Sequence, residues 1–350
     1  MIYFFFSLSL AFIIGLFIGV SFQKGRACTN TAFRNLFLIR NMDVAIIFIV
    51  ALLILIIGYQ ILSFNIISNV NFISGPIALS YLVPIGSFIF GIGMVFAGGC
   101  AGGTCYRIGE GNGKALLALV GYVSGIFIIL LFYNYFPDVP SIFEIKFNGS
   151  IPSLEMIVPR WIWTLIFIIV SVSAVVYFLK KKNQYLPHLL KNWSPIKTGI
   201  IIGILAVLAR ISSMLSGRNF GVSTVDGLTE IFSPLFALFD DSLSFGFGWA
   251  AIFIIGWILG SFFSSLESKE FEIKIPNRKE VWRFFGGGLL LGIGAMLAGG
   301  CNIGHILGGI PELGLSSLIA IIFMALGNLL ASRIFYVKFN NPLPVSSQLG

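Results

Sequence analysis

Two cysteines of this chain follow the same three residues, Ala-Gly-Gly, in segments far apart in the sequence. The stretch MVFAGGC ends at Cys100, and the stretch AMLAGGC ends at Cys301. A thiol is a weak hydrogen-bond donor with a polarisable sulfur, so it suits a soft, sulfur-bearing anion better than sulfate or Na⁺. The preceding glycines, Gly99 and Gly300, would let the backbone approach a ligand closely. The two motifs therefore predict a pair of ligand-contacting thiols.

The other two cysteines lie in different contexts. Cys28 belongs to the polar, basic segment GRACTN, and we expect it to face the same ligand. Cys105 has Ile306 as its counterpart in the second motif, so we expect it to serve in packing, and a path or redox role is the alternative. Cys100 and Cys105 do not form a CxxC pair, and neither of the two histidines lies near both. No metal, cofactor or catalytic residue is therefore predicted.

Polar side chains near the second motif are candidate substrate contacts. Asn302 adds an amide beside Cys301, and His305 follows Cys301 by four residues, about one helical turn. A buried histidine satisfied by its neighbours is the alternative for His305. Arg210 lies within an apolar run, where a charge is expensive and so indicates function. The alternative for Arg210 is pairing with a carboxylate on a neighbouring helix.

Two further arginines follow glycines at matching places. Arg26 and Arg218 each complete a Gly-Arg pair, and they would either attract anions at the two mouths of a path or anchor helix ends at the headgroups. Arg107 and Glu110 are three residues apart, so we expect a local ion pair between them.

The composition is that of a membrane protein. Of the 350 residues, 57% are hydrophobic and 10% are charged, and the mean hydropathy is +0.98. Apolar runs of about 20 residues, enough to cross a hydrocarbon core of about 30 Å, recur along the chain. We therefore predict an all-α polytopic protein in a lipid bilayer. The formal net charge of +8 then reflects membrane topology, and no nucleic-acid partner is expected.

About nine transmembrane helices are predicted, and the first run is interpreted as a retained span because it lacks a basic start and a cleavage site. The predicted spans cover 2–22, 43–62, 80–98, 114–135, 156–179, 196–215, 246–265, 282–298 and 315–336. Four apolar, glycine-rich connections are too short or too broken to span. They predict short re-entrant helices within 25–40, 98–111, 217–239 and 299–314.

Lysine and arginine residues concentrate in the loops on one side of the predicted membrane. By the positive-inside rule, we expect the N-terminus outside and the C-terminus in the cytoplasm; the family resemblance described below implies that the membrane is a bacterial cell (inner) membrane. The basic loop KKKNQYLPHLLK, residues 180–191, offers a cytoplasmic surface for a soluble partner.

The chain contains an internal repeat. GIGMVFAGGC, 91–100, aligns with GIGAMLAGGC, 292–301, and the two Gly-Arg pairs align separately. Four spans in each half and one span between them predict halves of opposite orientation. We expect one integral membrane domain over 1–350, with a first repeat at 1–135, a connecting helix at 156–179 and a second, inverted repeat at 196–338.

A substrate path follows if all four short elements dip toward the centre. The thiols of Cys28, Cys100 and Cys301 then line one axis, and Phe220 holds the position that matches Cys28. Half-helix N-termini would attract the charge of an anion. We expect hand-over from Cys301 through Cys100 to Cys28 without covalent bonding. The thiols should stay protonated near a reference pKa of about 8.5, because thiolates would repel the anion.

These features resemble the YeeE/YedE family of bacterial sulfur-transport membrane proteins. The resemblance rests on the two GGC motifs, the GRACTN element, the span count and the spacing of Cys28, Cys100 and Cys301. It implies an hourglass-shaped protein with an inverted repeat that imports thiosulfate along these three cysteines. It also implies that a small cytoplasmic sulfur-carrier protein is a candidate partner.

Other functions stay open at this point. Some members of the family are linked to selenium metabolism, so the resemblance also implies a selenium compound or another soft anion as substrate. A membrane thiol enzyme would instead relay sulfane sulfur through a persulfide, with His305 as the available base. A redox-gated channel or a scaffold would tolerate serine at each cysteine. The transport hypothesis is preferred because no base is repeated beside both thiols.

Overall fold

The computed structural model describes residues 2–39, 41–63, 77–145, 152–180, 193–243 and 245–338. The regular elements in these ranges are helices, and the extended contacts there are isolated bridges. Nine of the described helices are long and apolar enough to cross a membrane. The predicted all-α polytopic fold is therefore confirmed.

The first half of the chain has six helices, followed by a short helix and one long helix. They are α1 (Ile2–Gly25), α2 (Thr29–Arg34), α3 (Asp43–Ser63), α4 (Leu82–Phe96), α5 (Ala101–Gly109), α6 (Gly113–Tyr135), α7 (Asp138–Ile142) and α8 (Arg160–Lys180). A π-helical turn, Asn35–Ile39, continues α2.

The second half has six helices in the same order of long and short. They are α9 (Pro195–Leu215), α10 (Thr224–Ala237), α11 (Trp249–Glu267), α12 (Arg278–Ala298), α13 (Asn302–Gly304) and α14 (Leu315–Ser332). The π-helical turns His305–Gly309 and Arg333–Lys338 continue α13 and α14.

Each Ala-Gly-Gly-Cys motif ends one helix and begins the next. Gly98 and Gly299 adopt left-handed backbone, with φ of 68° and 76°, which stops α4 and α12. Cys100 and Cys301 are the N-cap residues of α5 and α13, and each sulfur accepts a backbone N–H three residues on. The repeated phrase is therefore a helix-stop and helix-start signal with a thiol at the start.

Glycines let the long helices pack closely. Gly15 and Gly19 of α1 face α11, and Gly256 and Gly260 of α11 face α1. A Cβ on Gly256 would lie 2.6 Å from a carbonyl oxygen of α1, so a larger side chain would push the helices apart. Such small-xxx-small spacing is typical of tight helix pairs in membranes. Close packing holds the short helices in a rigid frame.

Most of the long helices of one half pack against helices of the other half. α1 packs on α11 while α3 packs on α9, and α6 packs on α12 while α14 packs on α4. α1 also meets α9, and α4 meets α12. When the halves are exchanged, the first four contacts interchange in pairs, and the contacts α1 with α9 and α4 with α12 map onto themselves. The pairing supports the inverted repeat, which stays a prediction, as do the repeat boundaries.

Each of the four glycine-rich connections contains a short helix, namely α2, α5, α10 and α13. Their residues are mostly buried between the long helices. This burial supports a re-entrant course, which remains a prediction.

The predicted start of the eighth span, at residue 282, was four residues late. α12 begins at Arg278, because Asn277 and Glu280 form a capping box with reciprocal side-chain to backbone hydrogen bonds. Hydropathy misses this first turn because it is charged. The basic loop at 180–191 lies outside the described residues, apart from Lys180 at the end of α8.

Candidate substrate path

Two of the three predicted thiols lie side by side. The Sγ atoms of Cys28 and Cys100 are 3.6 Å apart, and both side chains are fully buried. The backbone N–H of Cys100 also points at Cys28 Sγ, at 3.5 Å. Because Cys28 caps α2 and Cys100 caps α5, the starts of these two helices meet at this pair.

Gly103, in the first turn of α5, makes the close approach of the two sulfurs possible. Gly103 donates its N–H to Cys100 Sγ at 3.2 Å. A Cβ on Gly103 would lie 2.6 Å from Cys28 Sγ. A side chain there would separate the two sulfurs, so glycine at position 103 is needed for the thiol pair.

The third thiol has a different set of partners. Cys301 Sγ accepts a hydrogen bond from the Thr224 hydroxyl at 3.0 Å and from the Gly304 N–H at 3.4 Å. The Thr224 hydroxyl in turn lies 3.3 Å from the hydroxyl of Tyr122. Sequence reasoning missed Thr224 and Tyr122, because each is far from Cys301 along the chain.

A hydrogen bond connects the element that carries Cys301 to the element that carries Cys28. Asn302, next to Cys301, donates its side-chain amide to the Thr29 hydroxyl at 2.7 Å. Thr29 follows Cys28, so this hydrogen bond connects the first residues of α13 and α2. The amide donor of Asn302, expected to contact substrate, is thereby engaged with Thr29. Its Oδ1 atom is buried and has no hydrogen-bond partner among the described residues.

His305 is held inside the protein below the second motif. Its Nδ1 lies 3.0 Å from the Ser317 hydroxyl of α14. Its Nε2 faces Gly300, where a Cβ would lie 3.5 Å away, and it makes no hydrogen bond within the described ranges. His305 therefore supports the backbone that carries Cys301, and its second nitrogen is directed toward Gly300.

A cavity of about 810 Å³ opens above the second motif. Its lining includes Arg218, Asp226, Glu230, Trp249 and Gly300. The residue after Gly300 is the fully buried Cys301. The cavity, called the vestibule below, therefore lies next to the residue that carries the third thiol.

Arg218 is neutralised within the vestibule. Its guanidinium forms an ion pair with Asp226 and donates to the carbonyl oxygens of Phe220 and Gly221 at 2.9 and 2.6 Å. The side chain is 17% exposed. Arg218 thus both shapes the loop before α10 and presents a cation to the cavity.

Arg26 is neutralised by two carboxylates in a separate cluster, beside Cys28. Its guanidinium pairs with Glu110 at 2.6 Å and with Glu270 at 3.0 Å. The Gln23 amide donates to Glu270 at 2.5 Å and to Glu110 at 3.4 Å. We call Gln23, Arg26, Glu110 and Glu270 the Arg26 cluster.

The expected ion pair between Arg107 and Glu110 is wrong. Arg107 donates to the carbonyl oxygen of Gly98, and Glu110 pairs with Arg26 instead. Glu110 follows the last residue of α5 and turns toward α1, which places it near Arg26. Burial raises the pKa of Glu110 and outweighs the opposing effects of Arg26 and Arg107.

Arg210 pairs with a carboxylate, which is the second of the two interpretations given for it above. It forms an ion pair with Glu312 at 3.1 Å, and both side chains are fully buried. The guanidinium also lies 5.9 Å from the ring centre of Tyr59. Glu312, in the connection before α14, was not identified from the sequence.

Two residues of the second half correspond to Cys28, each in one respect. The Phe220 ring lies 3.7 Å from a Cβ built on Gly304, as the Cys28 sulfur lies beside Gly103. The helix cap, however, pairs Cys28 with Ser223, which is the N-cap of α10. The chain before α10 is longer than the chain before α2, so the ring and the cap come from different residues.

Cys105 lies in the apolar core of the protein and is fully buried. This position agrees with the expected packing role. Among the described residues, no group of three or more His, Cys, Asp or Glu side chains could hold a metal ion.

The described residues contain nine apolar helices of spanning length, with polar side chains and thiols buried between them, and these define a multi-pass membrane protein with an internal polar site. The chain belongs to the sulphur transport family, whose sequence pattern matches residues 24–330.

Two proteins named thiosulfate transporter TsuA are similar over nearly their whole length. The protein of Spirochaeta thermophila is 32% identical over 329 residues, which cover 90% of this chain and 95% of that protein. The protein of Escherichia coli is 30% identical over 341 residues, covering 93% and 94%. The Escherichia coli protein named probable transporter YedE is 28% identical over 130 residues, covering 37% and 31%.

Proposed function

We propose that this chain transports thiosulfate across a bacterial inner membrane into the cytoplasm. The observation that carries the proposal is the set of three buried thiols, with Cys301 below the vestibule and Cys100 beside Cys28. Similarity to two thiosulfate transporters over 90% or more of the chain supports the choice of substrate.

The chemistry of thiosulfate fits these thiols. Its terminal sulfur is soft and negatively charged, and it accepts hydrogen bonds from weak S–H donors. Three thiols in series offer similar, weak contacts at each stage, which lets the anion enter and leave each stage. We therefore propose transfer from Cys301 to Cys100 and then to Cys28, with no covalent bond and no catalysed reaction.

The direction of transfer follows from the proposed topology. With the N-terminus outside and the C-terminus in the cytoplasm, the vestibule faces outward and the Arg26 cluster faces the cytoplasm. The anion would meet Arg218 first and Arg26 last. Each arginine is paired with carboxylates in the described structure, so an arriving dianion must compete with them.

A persulfide relay is the second candidate, because the Cys28 and Cys100 sulfurs are 3.6 Å apart. In that reaction a thiolate would displace sulfite from thiosulfate and keep the terminal sulfur as a persulfide. Mass spectrometry of the protein during turnover separates the two. The transport proposal expects intact cysteines, and a persulfide on Cys100 or Cys301 would support the relay.

The substrate is tested by competition. Cells that lack other importers and express this chain should take up labelled thiosulfate. Unlabelled thiosulfate should compete, whereas sulfate should not, because thiols replace the hydration shell of a hard oxyanion poorly. Sulfite and selenite complete the series, and stronger competition by selenite would change the proposed substrate to a selenium compound.

A small cytoplasmic sulfur-carrier protein is the partner that we propose for the released anion. The basic loop expected to receive it, residues 180–191, lies outside the described residues apart from Lys180. Co-purification with and without a substitution of Lys180 and the two lysines that follow tests this partner directly.

A further inference from the structure

Three buried polar groups from separate helices form a hydrogen-bonded chain that ends on the outer thiol. The Tyr122 hydroxyl of α6 lies 3.3 Å from the Thr224 hydroxyl of α10, which lies 3.0 Å from Cys301 Sγ. The three side chains are at most 1% exposed. Their only route to satisfaction is therefore within the protein or with a bound ligand.

The chain has a preferred direction. The Tyr122 hydroxyl has Thr224 as its one hydrogen-bond partner in the described part of the chain. If Cys301 donated to Thr224 and Thr224 donated to Tyr122, the tyrosine hydrogen would be buried without an acceptor, which is costly. An O–H group is also a better donor than S–H. The hydrogens therefore run from Tyr122 to Thr224 and from Thr224 to Cys301.

The sulfur of Cys301 therefore already accepts two hydrogen bonds. It receives the Thr224 hydroxyl and, on the same atom, the Gly304 N–H at 3.4 Å. With both contacts made, the thiol hydrogen has to point away from Thr224. The preceding residue, Gly300, lines the vestibule, so an anion that reaches the vestibule would arrive next to this fully buried thiol.

We infer that Thr224, itself held by Tyr122, is a positioning residue that fixes the Cys301 thiol as a hydrogen-bond donor toward the substrate. This inference rests on the proposed transport function. It also gives a rule of specificity. A fully deprotonated anion, which only accepts hydrogen bonds, fits the site, whereas a ligand that must donate to the Cys301 sulfur finds it occupied.

The test measures thiosulfate binding to the purified full-length protein by calorimetry, together with its melting temperature. Thr224→Val keeps the shape of the side chain and removes the donor, so we expect the dissociation constant to rise about tenfold. Thr224→Ser keeps the donor and should bind like the wild type. Tyr122→Phe should weaken binding by a smaller factor, about threefold, because Thr224 remains.

A merely structural role is separated by the double variant Tyr122→Phe with Thr224→Val. It leaves no buried hydroxyl without a partner, so its melting temperature should return toward that of the wild type. Binding should stay weak if Thr224 acts on the thiol. Recovery of binding together with stability would overturn the inference.

Thr164→Val is the matched control, because Thr164 is a buried threonine of α8 that bonds to the Arg160 carbonyl and Gln60. It should bind thiosulfate normally. Wild-type binding by Thr224→Val would also overturn the inference, even if Cys301→Ala abolishes binding. If Cys301→Ala itself binds and transports normally, the proposed thiol path fails, and the inference fails with it.

Discussion

Asn302 donates its side-chain amide to the hydroxyl of Thr29 across 273 residues of sequence, at 2.7 Å. The two residues directly follow Cys301 and Cys28. The contact therefore connects the element that carries Cys301 to the element that carries Cys28, and neither element can shift without straining or breaking it.

Removing either partner of this contact should destabilise the protein by about 1 kcal/mol, because a buried hydrogen bond is lost. The Thr29 hydroxyl keeps its contact with Met94 Sδ, so Thr29→Val, which leaves the Asn302 amide without an acceptor, should cost more. A double-mutant cycle with Asn302→Leu and Thr29→Val, measured by unfolding in detergent, should show that the two losses are not additive. Additive losses would mean that the residues act independently. Thr164→Val serves as the buried, unconnected control.

The Arg26 cluster should control release of the anion. Glu270→Gln leaves Arg26 with Glu110 as its remaining carboxylate partner, so the cation should bind thiosulfate more tightly. We expect both the KM and the maximal rate of uptake to fall by about threefold, since partly exposed ion pairs contribute little. Glu272→Gln, which removes the exposed pair with Lys274, should change neither. An unchanged rate in Glu270→Gln would contradict a release role.

Glu110 should make the free energy of unfolding depend on pH in the mildly acidic range. Burial raises its pKa above the ordinary value of 4.5 in the folded protein. As the pH falls through that raised pKa toward 4.5, the folded chain takes up a proton that the unfolded chain does not, so the unfolding free energy rises. Glu110→Gln should lack this rise. Parallel curves for the two proteins between neutral pH and pH 4.5 would show that Glu110 titrates normally.

The inner thiol pair should be readily cross-linked. With 3.6 Å between the Cys28 and Cys100 sulfurs, a two-electron oxidant such as diamide should accept their two hydrogens and leave a disulfide. Uptake should stop and return after reduction with dithiothreitol. Cys105→Ser should behave like the wild type. Cys28→Ser lacks a thiol of the proposed path, so its response is measured by counting free thiols, and its remaining thiols should stay reduced. Loss of two thiols from Cys28→Ser would place the reactive thiols elsewhere.

The sequence predicted the features of this protein that depend on local order. Apolar runs predicted nine spans, and the repeated glycines around Cys100 and Cys301 predicted interruptions that the structure has as helix caps. The late start predicted for α12 has a local cause too, because hydropathy alone overlooks the capping box at Asn277.

Contacts between distant segments were beyond the reach of sequence reasoning. The spacing of Arg107 and Glu110 predicts an ion pair, but Glu110 pairs with Arg26, 84 residues earlier. Thr224 is a common residue type in an ordinary helix start, and only the fold brings it to Cys301. A partial signal existed, since a threonine directly follows the N-cap residue in both α2 and α10.

The central claim is that thiosulfate passes along Cys301, Cys100 and Cys28. Its most direct test is uptake of labelled thiosulfate by liposomes that contain the purified protein and no other component. The wild type and Cys105→Ala should fill the liposomes, whereas Cys100→Ala and Cys301→Ala should each take up no more than empty liposomes. Normal uptake by both Cys100→Ala and Cys301→Ala would contradict the thiol path.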